Sequence, residues 1–467
     1  MQDLTPLASR ADAAAPAVSA LLTDLYQLTM AQAYFDQRMS GQATFSLFAR
    51  HLPAGWGYFV AAGLDDALSY LESFALTTPE LAYLEQTGLF SAPFLTQLAR
   101  LRFTGSVRAM PEGTVCFPHE PLIEVTAPIA EAQLVETYVL NQIHFQTIIA
   151  SKAARCIEAA AGRRLVDFGL RRTHGADAGL KAARASYLTG FDSTSNVLAG
   201  QRYGIPISGT MAHSFIQAFD DELAAFRAYA GSFPASCVLL VDTYDTLEGT
   251  RRAALVGQEL AAAGHTLRGV RLDSGDLIAL SFKARAILDQ AGLRQASIFA
   301  SGGLDEHEIA AMVARGAPID GFGVGSRLGT SADAPYLDMA YKLVEYDRRP
   351  VLKLSAAKAT WPGPKQVWRA AGPDGSLEDW LTLADETAPA PAEPLLAPAM
   401  TGGRRTSAEP LGVARDRARE RVAALPAAYC RLDAQEPPAP RISQRLQQLR
   451  DRLAQQAGQA RPGDTER

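Results

Sequence analysis

The apolar positions change period along the chain. From about residue 20 to 100 they mostly recur at helical spacing, as in Leu21 to Phe35 and Thr78 to Leu98, with a strand-like Ala43 to Leu47 between them. From Arg102 to Val125 short strand-like runs are broken by Pro111, Gly113 and Pro118, so the amino-terminal part reads as a mixed α+β domain. Ile129 to Ala161 holds no proline and meets Gly162 only at its end, which predicts one long helix leading into the next domain.

Between residues 163 and 330 short β-branched runs alternate with helical segments. The runs are Leu165 to Phe168, Ile205 to Ser208, Cys237 to Asp242, Leu267 to Leu272, Ser297 to Ala300 and Gly321 to Val324. Such alternation predicts parallel βαβ units, and their number favours a barrel over an open sheet, with the functional site at the carboxyl ends of the strands. After Tyr346 strand-like segments return at Val351 to Leu354 and Gln366 to Arg369, followed by a Pro/Ala-rich stretch, Ala388 to Pro398. From Arg441 onward Ile442, Leu446, Leu449 and Leu453 fall at helical spacing, the pattern of a surface helix with one docked face. The expected layout is a flexible terminus over residues 1–20, an α+β domain from 21–130 plus 346–430, an α/β barrel over 131–345 and a tail helix within 431–467.

Composition narrows the function classes. The 467 residues are 48% apolar, enough for a large core in two or three domains, and 45 basic against 50 acidic residues give a net charge of -5. No block of like charge stands out, so bulk electrostatics call for neither a nucleic-acid nor a membrane partner. The amino terminus lacks the basic start and apolar core of a signal peptide, and no apolar run has the length of a membrane span. Cys116, Cys156, Cys237 and Cys430 are scattered without a CxxC pair, which fits a reducing cytoplasm and no zinc or disulfide framework.

The candidate chemistry gathers at the strand ends. Leu165-Val166-Asp167-Phe168-Gly169-Leu170-Arg171-Arg172 ends one run with two guanidinium groups suited to phosphate or carboxylate, although an Arg pair alone serves equally as a surface ion-pair partner. Gly209-Thr210-Met211-Ala212-His213-Ser214 follows the next run, and its histidine is a candidate nucleophile or general base. Asp242-Thr243-Tyr244-Asp245 and Arg271-Leu272-Asp273-Ser274-Gly275-Asp276 bring carboxylates able to hold Mg²⁺ directly or through its waters. Helix capping explains such acids as well, for Asp276 in particular. Ala300-Ser301-Gly302-Gly303 and Gly323-Val324-Gly325-Ser326 supply glycine-rich turns on consecutive strands, a pairing suited to phosphate oxygens. Residue patterns alone thus reach a barrel enzyme acting on a phosphorylated substrate, with a divalent metal, and do not name the reaction.

At these residues the sequence resembles the nicotinate phosphoribosyltransferase family over roughly residues 20 to 430. The matching stretches are Leu22 to Met30, Asp167 to Arg172, Phe191 to Gly200, Gly209 to Ser214, Arg271 to Leu277 and Gly323 to Ser326. The resemblance implies an irregular (β/α) barrel packed on an α+β domain, the type II phosphoribosyltransferase arrangement, assembled as a homodimer with shared active sites. It implies that nicotinate and phosphoribosyl pyrophosphate yield nicotinate mononucleotide and pyrophosphate, coupled to ATP hydrolysis with Mg²⁺. His213 falls where the family carries its transiently phosphorylated histidine; Tyr26, Thr210 and Arg271 fall on nicotinate-binding positions and Ser326 on a phosphoribosyl pyrophosphate position. By looser similarity Phe168 matches the residue that stacks the pyridine ring and Arg171 one that contacts the phosphoribosyl group. With these go Asp273 as a carboxylate favouring the cationic sugar centre and Ser301, Gly302, Gly303, Gly323 and Gly325 as the phosphate loops, while direct metal ligands stay unassigned. His174-Gly175-Ala176-Asp177 departs from the Gly-Pro-Asp form common after the double arginine.

Two other readings compete. Nicotinamide phosphoribosyltransferases carry an aspartate in the stretch corresponding to Ser195, where it accepts from the amide; the uncharged Ser195-Asn196 pair removes a repulsion that nicotinate would meet. A catalytically silent phosphosugar-binding protein on the same scaffold predicts decay at the chemical positions, whereas His213, Arg271 and Asp273 are all present.

Overall fold

The computed structural model describes residues 18–354, 360–371, 377–388 and 391–459. Most of the expected flexible terminus, residues 1–17, lies outside the described residues, and at its edge the Ser19 hydroxyl donates to Glu80. The chain divides into two compact units: one is Ile149–Pro335, and the other comprises the described residues on either side of it.

The first unit is a parallel sheet with helical crossovers. Its strands are β1 (Arg164–Asp167), β2 (Ser193–Thr194), β3 (Val238–Leu240), β4 (Gly269–Leu272), β5 (Ser297–Ser301) and β6 (Gly321–Val324). The hydrogen-bonded order is β2-β1-β6-β5-β4-β3, and every pair is parallel, as crossover helices demand. The class is α/β, a sheet curled into a half-barrel whose hydrogen bonding stays open between β2 and β3. Val166, Leu239, Leu240, Val270, Leu272, Ile298, Phe322 and Val324 are fully buried, the near-continuous apolar reading of strands covered on both faces.

Two sequence expectations change here. The run Ile205 to Ser208 forms only a bridge from Ile207 to Thr194, because Pro206 has no N–H to give; its carbonyl accepts from Thr194 N and Ser208 N returns to the Thr194 carbonyl. The paired strand is instead the polar Ser193–Thr194, which no apolar run announced. The long helix predicted over Ile129 to Ala161 is two helices, Ile129–Leu134 and Glu136–Ala160, with a step at Val135.

The second unit is α+β. A seven-stranded antiparallel sheet runs in the order Arg349–Pro350, Met339–Tyr346, Gln42–Ala49, Pro121–Pro128, Ser106–Ala109, Ala397–Thr401, Arg404–Arg405. Chain segments from both sides of the first unit therefore interleave in one sheet. Thr78 to Leu98, expected as one helical stretch, is two helices, Thr78–Gln86 and Ala92–Arg100, the second started by the Ser91 cap. Val351 to Leu354 is not a strand: pairing stops at Pro350, after a tight turn in which Asp347 and Arg348 take positive φ. A second sheet holds Lys365–Ala371 between Glu393–Pro394 and Leu377–Leu383, and Arg441–Ile442 adds to the latter. The helix Gln444–Gln459 follows, and Leu446 and Leu449 bury its docked face. Among the described residues no helix is long and apolar enough to cross a membrane.

Candidate active site

The carboxyl ends of β1 and β4, with the loops after β2 and before the helix His213–Gln217, enclose a cleft of about 290 Å³. Its walls carry Phe168, Arg171, Ser195, Thr210, His213, Arg271 and Asp273. Six sequence-derived candidates, spread over more than a hundred residues, thus share one concavity, at the end of the sheet where a parallel α/β fold presents its loops.

Arg271 is the main cation of the cleft. It is the last residue but one of β4, its guanidinium lies 6.0 Å from the centroid of the Phe168 ring, and Nη1 donates to Thr210 Oγ1 at 2.7 Å. Its Nε is buried with no hydrogen-bond partner among the described residues. Burial pulls the Arg271 pKa down, against which Asp273 and Asp242 favour the charged form. A guanidinium beside an aromatic face can take a flat anion.

Phe168 reaches this position because a glycine makes room. A Cβ at Gly323 would sit 2.4 Å from the Phe168 ring, and Phe299 packs against that ring with centroids 6.0 Å apart. This alters the expectation for Gly323: it lies inside β6, fully enclosed and paired with Ser301 on one side and Val166 on the other, so its place supports seating the ring rather than presenting an N–H to phosphate. Gly302 serves a close approach as well, since at φ +97° an added Cβ would fall 2.0 Å from the Asp273 carbonyl oxygen. Gly303 and Ser326 are exposed, and Gly325 leads into the short helix Ser326–Gly329. These turns lie outside the cleft wall itself; Ser301 joins it through its buried hydroxyl, which donates to Asp273 Oδ1.

His213 and Asp273 face each other across the rim. His213 Nε2 lies 3.8 Å from Asp273 Oδ2 and Nδ1 lies 3.1 Å from Thr243 Oγ1, and both side chains are about a third exposed. Behind Asp273, Asp242 Oδ2 accepts from Asp273 N at 3.1 Å and from Ser274 Oγ at 2.5 Å, while Asp242 Oδ1 is buried with no hydrogen-bond partner among the described residues. Among the described residues no group of three or more His, Cys, Asp or Glu could hold a metal ion. Asp276 and Asp245 cap the helices Leu277–Gln290 and Thr246–Ala262, the capping role their places before apolar runs allow.

Arg171 sits in a single 3-10 turn, Leu170–Arg172, exposed and lining the cleft, and its charge bears on Arg271. Gly175 has positive φ and starts the helix Ala176–Thr189, so the stretch that departs from the common Gly-Pro-Asp form is a helix start. Asn196 does not face the cleft: its side chain caps the helix Val197–Tyr203 and donates to the Gly179 carbonyl, which leaves Ser195 as the wall residue of that pair. Tyr26 belongs to the second unit, on the helix Leu25–Asp36, where burial and Glu136 push its pKa up to about 12.

Sequence reasoning missed Asp167, Thr194 and Thr243 as residues that shape the site, whereas Asp242 was among the carboxylates it named. Asp167 carried a signal, being an acid inside the otherwise apolar run Leu165 to Phe168.

Known proteins bear on these residues. The family model described as the nicotinate phosphoribosyltransferase (NAPRTase) N-terminal domain matches residues 21–144, and that of the nicotinate phosphoribosyltransferase (NAPRTase) family matches residues 163–359. A nicotinate phosphoribosyltransferase of Mycobacterium tuberculosis is 55% identical over 411 residues, covering 88% of each chain. One of Bacillus subtilis is 45% identical over 376 residues, covering 78% of this chain and 76% of the relative. The crystal structure of human nicotinic acid phosphoribosyltransferase superposes with a TM-score of 0.83 at 32% identity, covering 92% of this chain and 99% of that one. With both family models matched in order and the relatives alike over most of their length, the chain belongs to the nicotinate phosphoribosyltransferase family.

Proposed function

We propose that this chain joins nicotinate to the phosphoribosyl group of 5-phosphoribosyl 1-pyrophosphate, forming nicotinate mononucleotide and pyrophosphate in NAD synthesis, with ATP hydrolysed to ADP and phosphate through a phosphohistidine at His213. The observation that carries the reading is the pairing of the Arg271 guanidinium with the Phe168 face, 6.0 Å apart, beside a Thr210 hydroxyl. Nicotinate is a flat ring bearing one carboxylate, and these groups offer it a surface to lie on and a fork to bind. Tyr26 serves as a second aromatic contact from the neighbouring subunit of a homodimer.

The pyridine nitrogen attacks the anomeric carbon as the bond to pyrophosphate breaks, so positive charge builds on the sugar. Asp273, at the cleft and one-third exposed, favours that charge, and Arg171 grips the phosphoribosyl phosphate together with the turns at Ser301 to Gly303 and Gly325-Ser326. His213 takes the terminal phosphoryl group of ATP, releasing ADP; water later removes it as phosphate, and the added charge beside the pyrophosphate site alters binding and release.

Mg²⁺ fits the donor set in a limited way. Asp273 and Asp242 are the carboxylates that would hold it, and Asp242 Oδ1, with no hydrogen-bond partner among the described residues, is an oxygen with capacity to spare. Held there by these two carboxylates, Mg²⁺ would supply positive charge to neutralise the pyrophosphate leaving group. Cys116, Cys156 and Cys237 are free, buried thiols, which supports a reducing, cytoplasmic setting.

The uncharged Ser195 at the wall favours the acid over the amide. Product analysis with nicotinate, nicotinamide and quinolinate offered separately tests the reading: nicotinate mononucleotide from nicotinate is expected to dominate. Equal turnover of nicotinamide, or product from quinolinate alone, refutes it.

A further inference from the structure

Under the cleft, two neighbouring strands share one buried relay. The Asp167 carboxylate, at the end of β1, is 1% exposed and engaged in no ion pair among the described residues. Its Oδ1 accepts from Gly169 N at 2.8 Å and its Oδ2 from the Thr194 hydroxyl at 2.7 Å. The Thr194 oxygen in turn accepts from Asn196 N at 3.0 Å, and Ser195 N donates to the Asp167 carbonyl at 2.9 Å. The relay therefore ends on both sides at cleft walls: the turn that carries Phe168, and Ser195.

A carboxylate enclosed in this way costs free energy, and an apolar residue in the same run would close the strand end more cheaply. What the acid provides is direction, since two hydrogen bonds at fixed angles tie the Phe168-Gly169 turn to the β2 strand end. We propose that Asp167 and Thr194 are positioning residues that hold the Phe168 ring and Ser195 at a set separation, and so govern affinity for the acceptor ring. This rests on the cleft being the nicotinate site. Arg171 leaves the same turn on a long, exposed side chain that re-forms its contacts after a small shift, whereas an aromatic ring wedged against Gly323 and Phe299 does not.

The test compares Thr194→Val, Thr194→Ser and Phe168→Ala in the full chain. Thr194→Val keeps shape and strand preference while leaving Asp167 and Asn196 N each one partner short. Its nicotinate KM is expected to rise about tenfold, from the loss of one charged hydrogen bond, with the phosphoribosyl pyrophosphate KM changed less than about twofold. Thr194→Ser, which retains the hydroxyl, restores the nicotinate KM. Asp167→Asn, able to satisfy only one of the two donors, shows the same split and serves should the valine variant not fold. If Phe168→Ala raises the nicotinate KM and neither relay variant does, or if both substrates weaken equally, the relay is structural only and the proposal fails. If Phe168→Ala leaves the nicotinate KM unchanged, the cleft reading falls and takes the relay with it.

Discussion

Replacing Arg271 by lysine separates charge from geometry. The arginine lines the cleft and holds Thr210 Oγ1 through Nη1 at 2.7 Å, which leaves the rest of its planar donor set to meet a carboxylate. Lysine keeps the positive charge but offers a point donor that cannot hold the threonine and both carboxylate oxygens at once. The loss amounts to roughly one charge-assisted hydrogen bond, about 1.5–3 kcal/mol, partly shielded from water. That corresponds to roughly a ten- to hundredfold rise in the nicotinate dissociation constant. Calorimetric titration of nicotinate and of phosphoribosyl pyrophosphate into wild type and Arg271→Lys reads both constants, and only the first should move strongly. Equal weakening of the two substrates would refute the reasoning and put Arg271 in the phosphate site.

His213→Ala should abolish stimulation by ATP while a slow ATP-independent transfer persists, because in the proposed reaction the histidine carries phosphoryl rather than forming the glycosidic bond; unchanged stimulation in the purified variant removes it from the mechanism. Mixing inactive Tyr26→Ala chains with inactive Arg271→Ala chains should restore activity, since a hybrid dimer regains one site with both residues intact; no recovery after proven subunit exchange places Tyr26 elsewhere. In the second unit Glu120 is fully buried, and burial together with Asp379 raises its pKa well above the usual carboxylate range. A raised acid stabilises the fold fully below its unfolded value of about 4.3 and loses that contribution as pH rises through the folded value, so the melting temperature should fall over that interval. Glu120→Gln, neutral at every pH, should flatten the slope in thermal unfolding followed from pH 4.5 to 8; an unaltered slope rules out Glu120 as the source.

The parts of the fold legible in the sequence are those whose physics is local. Runs such as Cys237 to Asp242 and Ser297 to Ala300 are apolar because strands covered on both faces must be, and polar residues accumulate where those runs stop. Ser193–Thr194 is illegible for the opposite reason: two polar residues owe their pairing to neighbours on β1 and to the Pro206 carbonyl, and nothing in their own pattern records either. Gly323 shows a subtler limit. A glycine at a strand end reads as a phosphate turn because both uses require the same absent side chain, and only the position of the Phe168 ring, more than 150 residues earlier, tells packing from binding. Asp167 marks the boundary between the two cases. An acid in an apolar run is visible as a violation of pattern, and violations that survive in a packed strand point to function or positioning. Which strand it reaches depends on Thr194 lying opposite it in the β1–β2 ladder, a fact of register that comes only with the tertiary structure.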